Sequence, residues 1–267
     1  MFCRHNRLEI NCPICAPKKV PSAKARGTVK HVGRPKAPGA AKSGARRGVV
    51  TRKLARAEDD GYRIDVAPGL KATADAERLA DALAIAAARL EYPGPYPMVA
   101  EVEPQDAREI AFLLAMAGPD DAERHAAILA GDRTGVEALQ DHRGTWYAAD
   151  ASLSPQRRFS RTFDSLRLPG FGRAARYDFL MTLAAAGVYE LEPDALFVDV
   201  KANDATTLAA KRALNSGDAM LLERRAKTLA EAAGVPLAAL DRGLVLWDST
   251  EPLEAPEDHP VRAALGV

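Results

Sequence analysis

Leu168-Pro169-Gly170-Phe171-Gly172-Arg173 lies between two helical patterns, and its reading decides the fold. One pattern covers Ser160–Leu166; the other runs over Arg173–Ala186 and stops at Gly187. Glycine lets the backbone take positive φ and lets another backbone approach closely. Gly170 and Gly172 therefore predict a tight turn that joins the two helices. The amides opening the second helix point outward, where the helix dipole favours an anion. Arg173 and Arg176 add positive charge on the same turn. That combination suits a nucleic-acid phosphate; the alternative is an ordinary helical corner that uses glycine for close packing.

Outward from the turn the helical signals continue in both directions. Thr73–Glu77 opens a run with Leu79, Leu83, Ile85 and Ala86 on one face, stopped by Tyr92-Pro93-Gly94-Pro95. Glu103-Pro104 precedes a run with Ile110, Leu113 and Leu114 that ends at Gly118-Pro119. Asp120–Leu129 and Gly135–Asp141 read as shorter helices. Towards the C-terminus, Asp204 stands as N-cap of a helix reaching Leu214, followed by helices over Asp218–Ala233 and Leu237–Trp247. Phe197–Val200 is a short extended piece or a loop. Alternating strand patterns are nearly absent. The reading is an all-α domain over residues 58–248 with an acidic, loose tail over 249–267.

A net charge of +1 conceals a strong asymmetry. Residues 1–56 hold fifteen Lys and Arg against the single acid Glu9, a balance of +14. The remainder holds 22 Lys and Arg against 35 acids, or −13. A basic arm beside an acidic body points to a polyanionic partner. Residues 18–57 lack apolar periodicity and read as a flexible basic linker. All three cysteines fall in the first fifteen residues. Cys3, His5, Cys12 and Cys15 supply the four N/S ligands of a structural zinc, so residues 1–17 read as a zinc module. Because Cys3 and His5 are so close, incomplete or intermolecular ligation is the alternative. Neither a membrane span nor a signal-peptide pattern is present, and the expected compartment is the cytoplasm.

Helix, Leu-Pro-Gly-Phe-Gly-Arg, helix resembles the helix-hairpin-helix element of DNA repair proteins. The resemblance implies a hairpin whose amides grip a DNA phosphate without reading sequence, with a monovalent cation held by hairpin carbonyls. In the helix-hairpin-helix glycosylase superfamily an aspartate at the start of a later helix follows. Asp204, opening Asp204-Ala205-Thr206-Thr207, fits that role, with Glu190–Asn203 as an extra loop. Asp199 is the second candidate, and Glu192 lies closest to the usual spacing. A carboxylate suits the chemistry, because departure of the base from C1′ leaves an oxocarbenium-like sugar that a fixed negative charge stabilises. A plain N-cap is the alternative role for Asp204.

Members that also cleave the strand carry a lysine directly after the hairpin arginine. Ala174 stands there, which implies a monofunctional enzyme. The wider pattern adds Arg161-Thr162-Phe163, Ala175-Arg176-Tyr177-Asp178, Ala210-Lys211-Arg212 and Leu222-Glu223-Arg224-Arg225-Ala226. Together these are similar to the alpha-glutamyl/putrescinyl thymine pyrophosphorylase-like branch of the glycosylase fold, over roughly residues 60–248 and most firmly over 160–227. Relatives in that branch act on hypermodified phage DNA bases, as amino acid:DNA transferases or antiphage glycosylases.

The resemblance thus implies a DNA glycosylase that excises a modified base, with no nucleotide cofactor. Its expected DNA contacts are Leu168, Gly170, Gly172, Arg173, Arg176 and Lys211. A transferase that hypermodifies pyrimidines and a non-catalytic DNA-binding protein are the rival readings. Tyr92, Tyr96, Trp146 and Tyr147 are candidates to stack on an extruded base, although aromatics in helical domains more often fill the core.

Overall fold

The structure is a computed structural model and describes residues 57–267, apart from 92–95, 119–120, 203 and 256–258, and apart from the side chains at 90, 91, 96 and 97. The zinc-ligand candidates Cys3, His5, Cys12 and Cys15, the basic linker up to residue 56, and Tyr92 lie outside the described residues. Every regular element among the described residues is an α-helix, as the periodicity predicts.

In chain order the helices are α1 (Thr73–Glu91), α2 (Tyr96–Ala100), α3 (Pro104–Ala117), α4 (Ala122–Leu129), α5 (Glu137–Gln140) and α6 (Pro155–Ser165). They continue with α7 (Arg173–Ala185), α8 (Ala205–Ala213), α9 (Ala219–Ala233), α10 (Leu237–Trp247) and α11 (Pro260–Leu265). Local chemistry sets many of the starts. Asp121, Ser154, Asp204 and Asp218 each accept a hydrogen bond from the backbone N–H three residues on, satisfying a donor the helix itself cannot. Gly234 closes α9 in the left-handed conformation at φ 65°. None of the described helices is long and apolar enough to cross a membrane.

The described residues form two apolar cores. The first packs α1 against α10 and α11, which in turn carry α8 and α9, around Leu79, Leu83, Leu222, Leu229, Leu240, Leu244 and Trp247. Gly243 lies close against Leu83, where an added Cβ would stand 2.6 Å from Leu83 Cδ2. Arg78 of α1 binds the carbonyls of Trp247 (3.0 Å), Ser249 (2.7 Å) and Glu251 (2.8 Å), and so closes the end of α10. The second core is built from α2 to α7 and is aromatic, with Phe112, Phe159, Phe163, Phe171, Tyr177 and Phe179.

Two expectations change. The tail is not loose throughout: Val261 and Leu265 of α11 are fully buried in the first core, and Arg262 pairs with Asp81 at 2.5 Å. Their apolar side chains meet α1, which local sequence does not reveal. Helix α6 also begins five residues earlier than its apolar periodicity suggests, because Ser154 caps it and Pro155 fits its first turn.

Candidate functional site: the glycine turn and a buried polar seam

Between α6 and α7 the chain makes a turn closed by Phe171 N–H donating to the Leu168 carbonyl at 3.1 Å. Pro169 and Gly170 occupy its central positions, and Gly170 has φ 76°. This is the type II pattern, which demands glycine at the third residue. Phe171 is buried, its ring 4.9 Å from that of Phe112, and it pins the turn to the second core. Pro169, Gly170 and Gly172 are exposed. Gly172 has φ −68°, so it needs no special backbone freedom; its contribution is an uncapped, unobstructed start to α7. The expectation of positive φ therefore holds at Gly170 and not at Gly172. Arg157, Arg161 and Arg167 are exposed along α6 and into the turn.

Arg173 corrects a second expectation. Its side chain is 1% exposed and points inward, so its charge is not presented to a phosphate. Nε donates to the Leu196 carbonyl at 2.8 Å, and Nη2 bonds both that carbonyl and the Asp241 carboxylate. Nη1 faces Asp204 Oδ1 at 3.7 Å. The guanidinium carbon lies 4.6 Å from the centre of the Tyr177 ring. Burial disfavours the charge, but the Asp241 and Asp204 carboxylates outweigh it and raise the Arg173 pKa.

This cluster sits where the two cores meet. Arg173, Tyr177 and Asp178 come from α7, Asp241 and Arg242 from α10, and Asp204 from the start of α8. Arg242 reaches Asp178 at 3.1 Å. Burial raises the Asp178 pKa to about 6, against the pull of Arg242 and with help from Asp241. Burial also pushes the Tyr177 phenol well up, and its hydroxyl has no hydrogen-bond partner among the described residues.

The loop before α8 is held from two sides. Glu223 of α9 accepts the N–H groups of Leu196 and Val198, each at 2.7 Å. Between them Phe197 takes φ 54°, an uncommon conformation for a non-glycine residue. Its ring stacks on Phe163 at 4.4 Å.

The three candidate carboxylates separate clearly. Asp204 is the N-cap of α8, accepting from Thr207 N–H at 3.3 Å and from Thr207 Oγ1 at 2.6 Å. It is both cap and neighbour of Arg173. Asp199 closes a turn by accepting the N–H groups of Ala202 and Lys201, each at 3.0 Å, and these bonds lower its pKa. Glu192 bonds Gln156 and lines a cavity of about 480 Å³ with Asp194, Lys227 and Glu231; neither Arg173 nor Asp204 borders it.

The other predicted contacts are partly engaged. Arg176 folds back over the Phe163 ring at 4.2 Å and donates to the Phe163 carbonyl at 3.1 Å. Lys211 Nζ donates to the Val200 carbonyl at 3.1 Å. Leu168 is half-buried against the second core. Trp146 also packs there, under Arg108 at 4.4 Å and beside Phe179 and Tyr189, in the manner of a core aromatic. Tyr147 lies 5.6 Å from the Arg161 guanidinium.

Asp241 and Glu223 are the polar residues that sequence reasoning missed as site members. Asp241 had a signal: it is a lone acid between Leu240 and Leu244 on the apolar face of α10. No group of three or more potential metal ligands occurs among the described residues. No protein-family model, no curated protein and no solved structure matches the chain.

Proposed function

We propose that this protein is a monofunctional DNA glycosylase that removes a modified base, with phage DNA as the substrate class the resemblance suggests. The observation that carries the reading is the adjacency of Asp204 to α7: Arg173, the first residue after the glycine turn, pairs with Asp204 across 3.7 Å although the two lie 31 positions apart in sequence. A phosphate grip and a carboxylate thus belong to one small region, as base excision requires. The exposed arginines of α6 and the uncapped amides of α7 support a DNA backbone contact.

In this reading the amides around Gly170 and Ala174 anchor a phosphate, and Arg157, Arg161 and Arg167 add screening charge. Asp204 stabilises the cation that develops at C1′ as the N-glycosidic bond breaks. Water adds to C1′, and the base leaves with a proton. Ala174 offers no amine for a Schiff base, so the sugar–phosphate backbone stays intact. Leu168 and Gly170 carbonyls each accept one backbone N–H, which leaves a second lone pair for a monovalent cation. A structural zinc on Cys3, His5, Cys12 and Cys15 and the basic arm add DNA affinity.

The test is incubation with a panel of modified phage DNAs, followed by alkaline cleavage and mass analysis of released and retained bases. Free base with alkali-labile sites, lost in Asp204→Asn, is the expected result. A heavier base in intact DNA would instead identify a transferase. DNA binding with no change in any base would leave a non-catalytic module.

A further inference from the structure

Arg173 takes part in two structures at once. Its backbone opens α7 directly after the exposed Gly172, while its side chain enters the polar seam. One edge of the guanidinium is fixed: Nε and Nη2 bond the Leu196 carbonyl, and Nη2 also bonds Asp241. The other edge is not. Nη1 is buried, has no hydrogen-bond partner among the described residues and faces Asp204 at a distance too long for one.

A buried donor left open calls for an explanation. Here Asp204 is held by Thr207, whose N–H and hydroxyl bond its two oxygens. Asp204 is therefore suspended between Thr207 and a guanidinium that Leu196 and Asp241 prevent from closing on it. We propose that Arg173, locked by Asp241, is a positioning residue that couples the glycine turn to Asp204, so that gripping DNA and setting the carboxylate are one mechanical event. This inference rests on the DNA reading above. When a phosphate draws on the first turn of α7, the Arg173 side chain transmits the displacement to Asp204, because packing over Tyr177 leaves it no room to flex.

The test uses backbone-amide NMR of the full chain, titrated with a short duplex carrying a tetrahydrofuran abasic-site analogue. In the wild type the Gly170 and Ala174 amides shift, and the Thr207 amide, which reports the Asp204 carboxylate, shifts with them. Asp241→Asn keeps an acceptor for Nη2 and keeps the Thr207 response. Arg173→Met combined with Asp241→Leu retains the Gly170 and Ala174 shifts and loses that of Thr207.

A Thr207 response that survives in the double variant overturns the coupling and leaves DNA binding intact. Silence at Gly170 and Ala174 in the wild type removes the DNA reading and this inference together. One measurement needs no variant: a locked guanidinium gives separately resolved Arg173 Nη signals in the free protein. A single rotationally averaged signal would overturn the lock.

Discussion

Replacing Asp241 with alanine strips the buried Arg173 guanidinium of its closest carboxylate. The side chains are 1% and 7% exposed, so water cannot substitute for the lost partner. Removing one member of a buried ion pair costs about 3–5 kcal/mol. The Leu196 carbonyl and the Asp204 carboxylate remain near the guanidinium, which places Asp241→Ala at the lower end, about 3 kcal/mol. For a domain of this size each kcal/mol moves Tm by roughly 2–4 °C, so the expected fall is about 6–12 °C.

Arg173→Met with Asp241→Leu removes both charges and keeps most of the volume. Its main penalty is the Leu196 carbonyl, left without the Arg173 donor, at about 1–2 kcal/mol. The double variant should thus be more stable than the single one, as residues in direct contact or in one buried network behave. Far-UV circular dichroism of thermal and urea unfolding at neutral pH measures both. If the double variant is destabilised as much as Asp241→Ala, or if Asp241→Ala costs less than about 1 kcal/mol, the buried pair does not carry the energy assigned to it.

Other expectations follow from single residues. Asp178 has a folded pKa of about 6 against 3.8 for the ordinary group. Between those values the folded state holds a proton that the unfolded chain has released, so this contribution is fully present below pH 3.8 and is lost as pH rises through about 6. Its side chain remains a quarter exposed (25%). Asp178→Asn should therefore gain on wild type by about 1–2 kcal/mol between pH 4 and 7, and a flat difference in urea titrations would refute this. Gly170→Ala should cost about 1–2 kcal/mol because φ is 76°. Gly172→Ala should leave Tm nearly unchanged and weaken DNA binding in a filter or anisotropy assay. At Gly69 an added Cβ would stand 1.7 Å from the Arg212 carbonyl, and the residue's N–H bonds Ala213 at 2.8 Å. Gly69→Ala should cost roughly 2–4 kcal/mol in the same unfolding assays.

Local chemistry made much of the helical framework readable in advance. Asp204 is a cap by type and position and caps as expected, while Asp218, read only as the first residue of its helix, turns out to cap it. The turn at Gly170 follows from Pro-Gly in sequence and adopts the conformation that pair favours. What stayed hidden depends on distant partners. The inward course of Arg173 is decided by Asp241, sixty-eight residues on, and nothing in the first turn of α7 distinguishes it from a solvent-facing arginine. The burial of Val261 and Leu265 likewise depends on α1, at the opposite end of the folded region. His259 and Pro260 do carry a helix-start signal, but a six-residue helix in an acidic tail is too short for periodicity to reveal.

The division into two cores bears on the order in which the chain can fold. The aromatic core uses only neighbouring stretches of chain, from α2 to the loop after α7, so its contacts can form as soon as those residues exist. The other core pairs α1 with helices that begin only after residue 204. Closing that long loop is entropically the slower step. During synthesis Leu79 and Leu83 of α1 must wait, uncovered, until α10 and α11 emerge. The first of the described helices is thus covered last, and the polar seam around Arg173 likewise waits for Asp241 of α10.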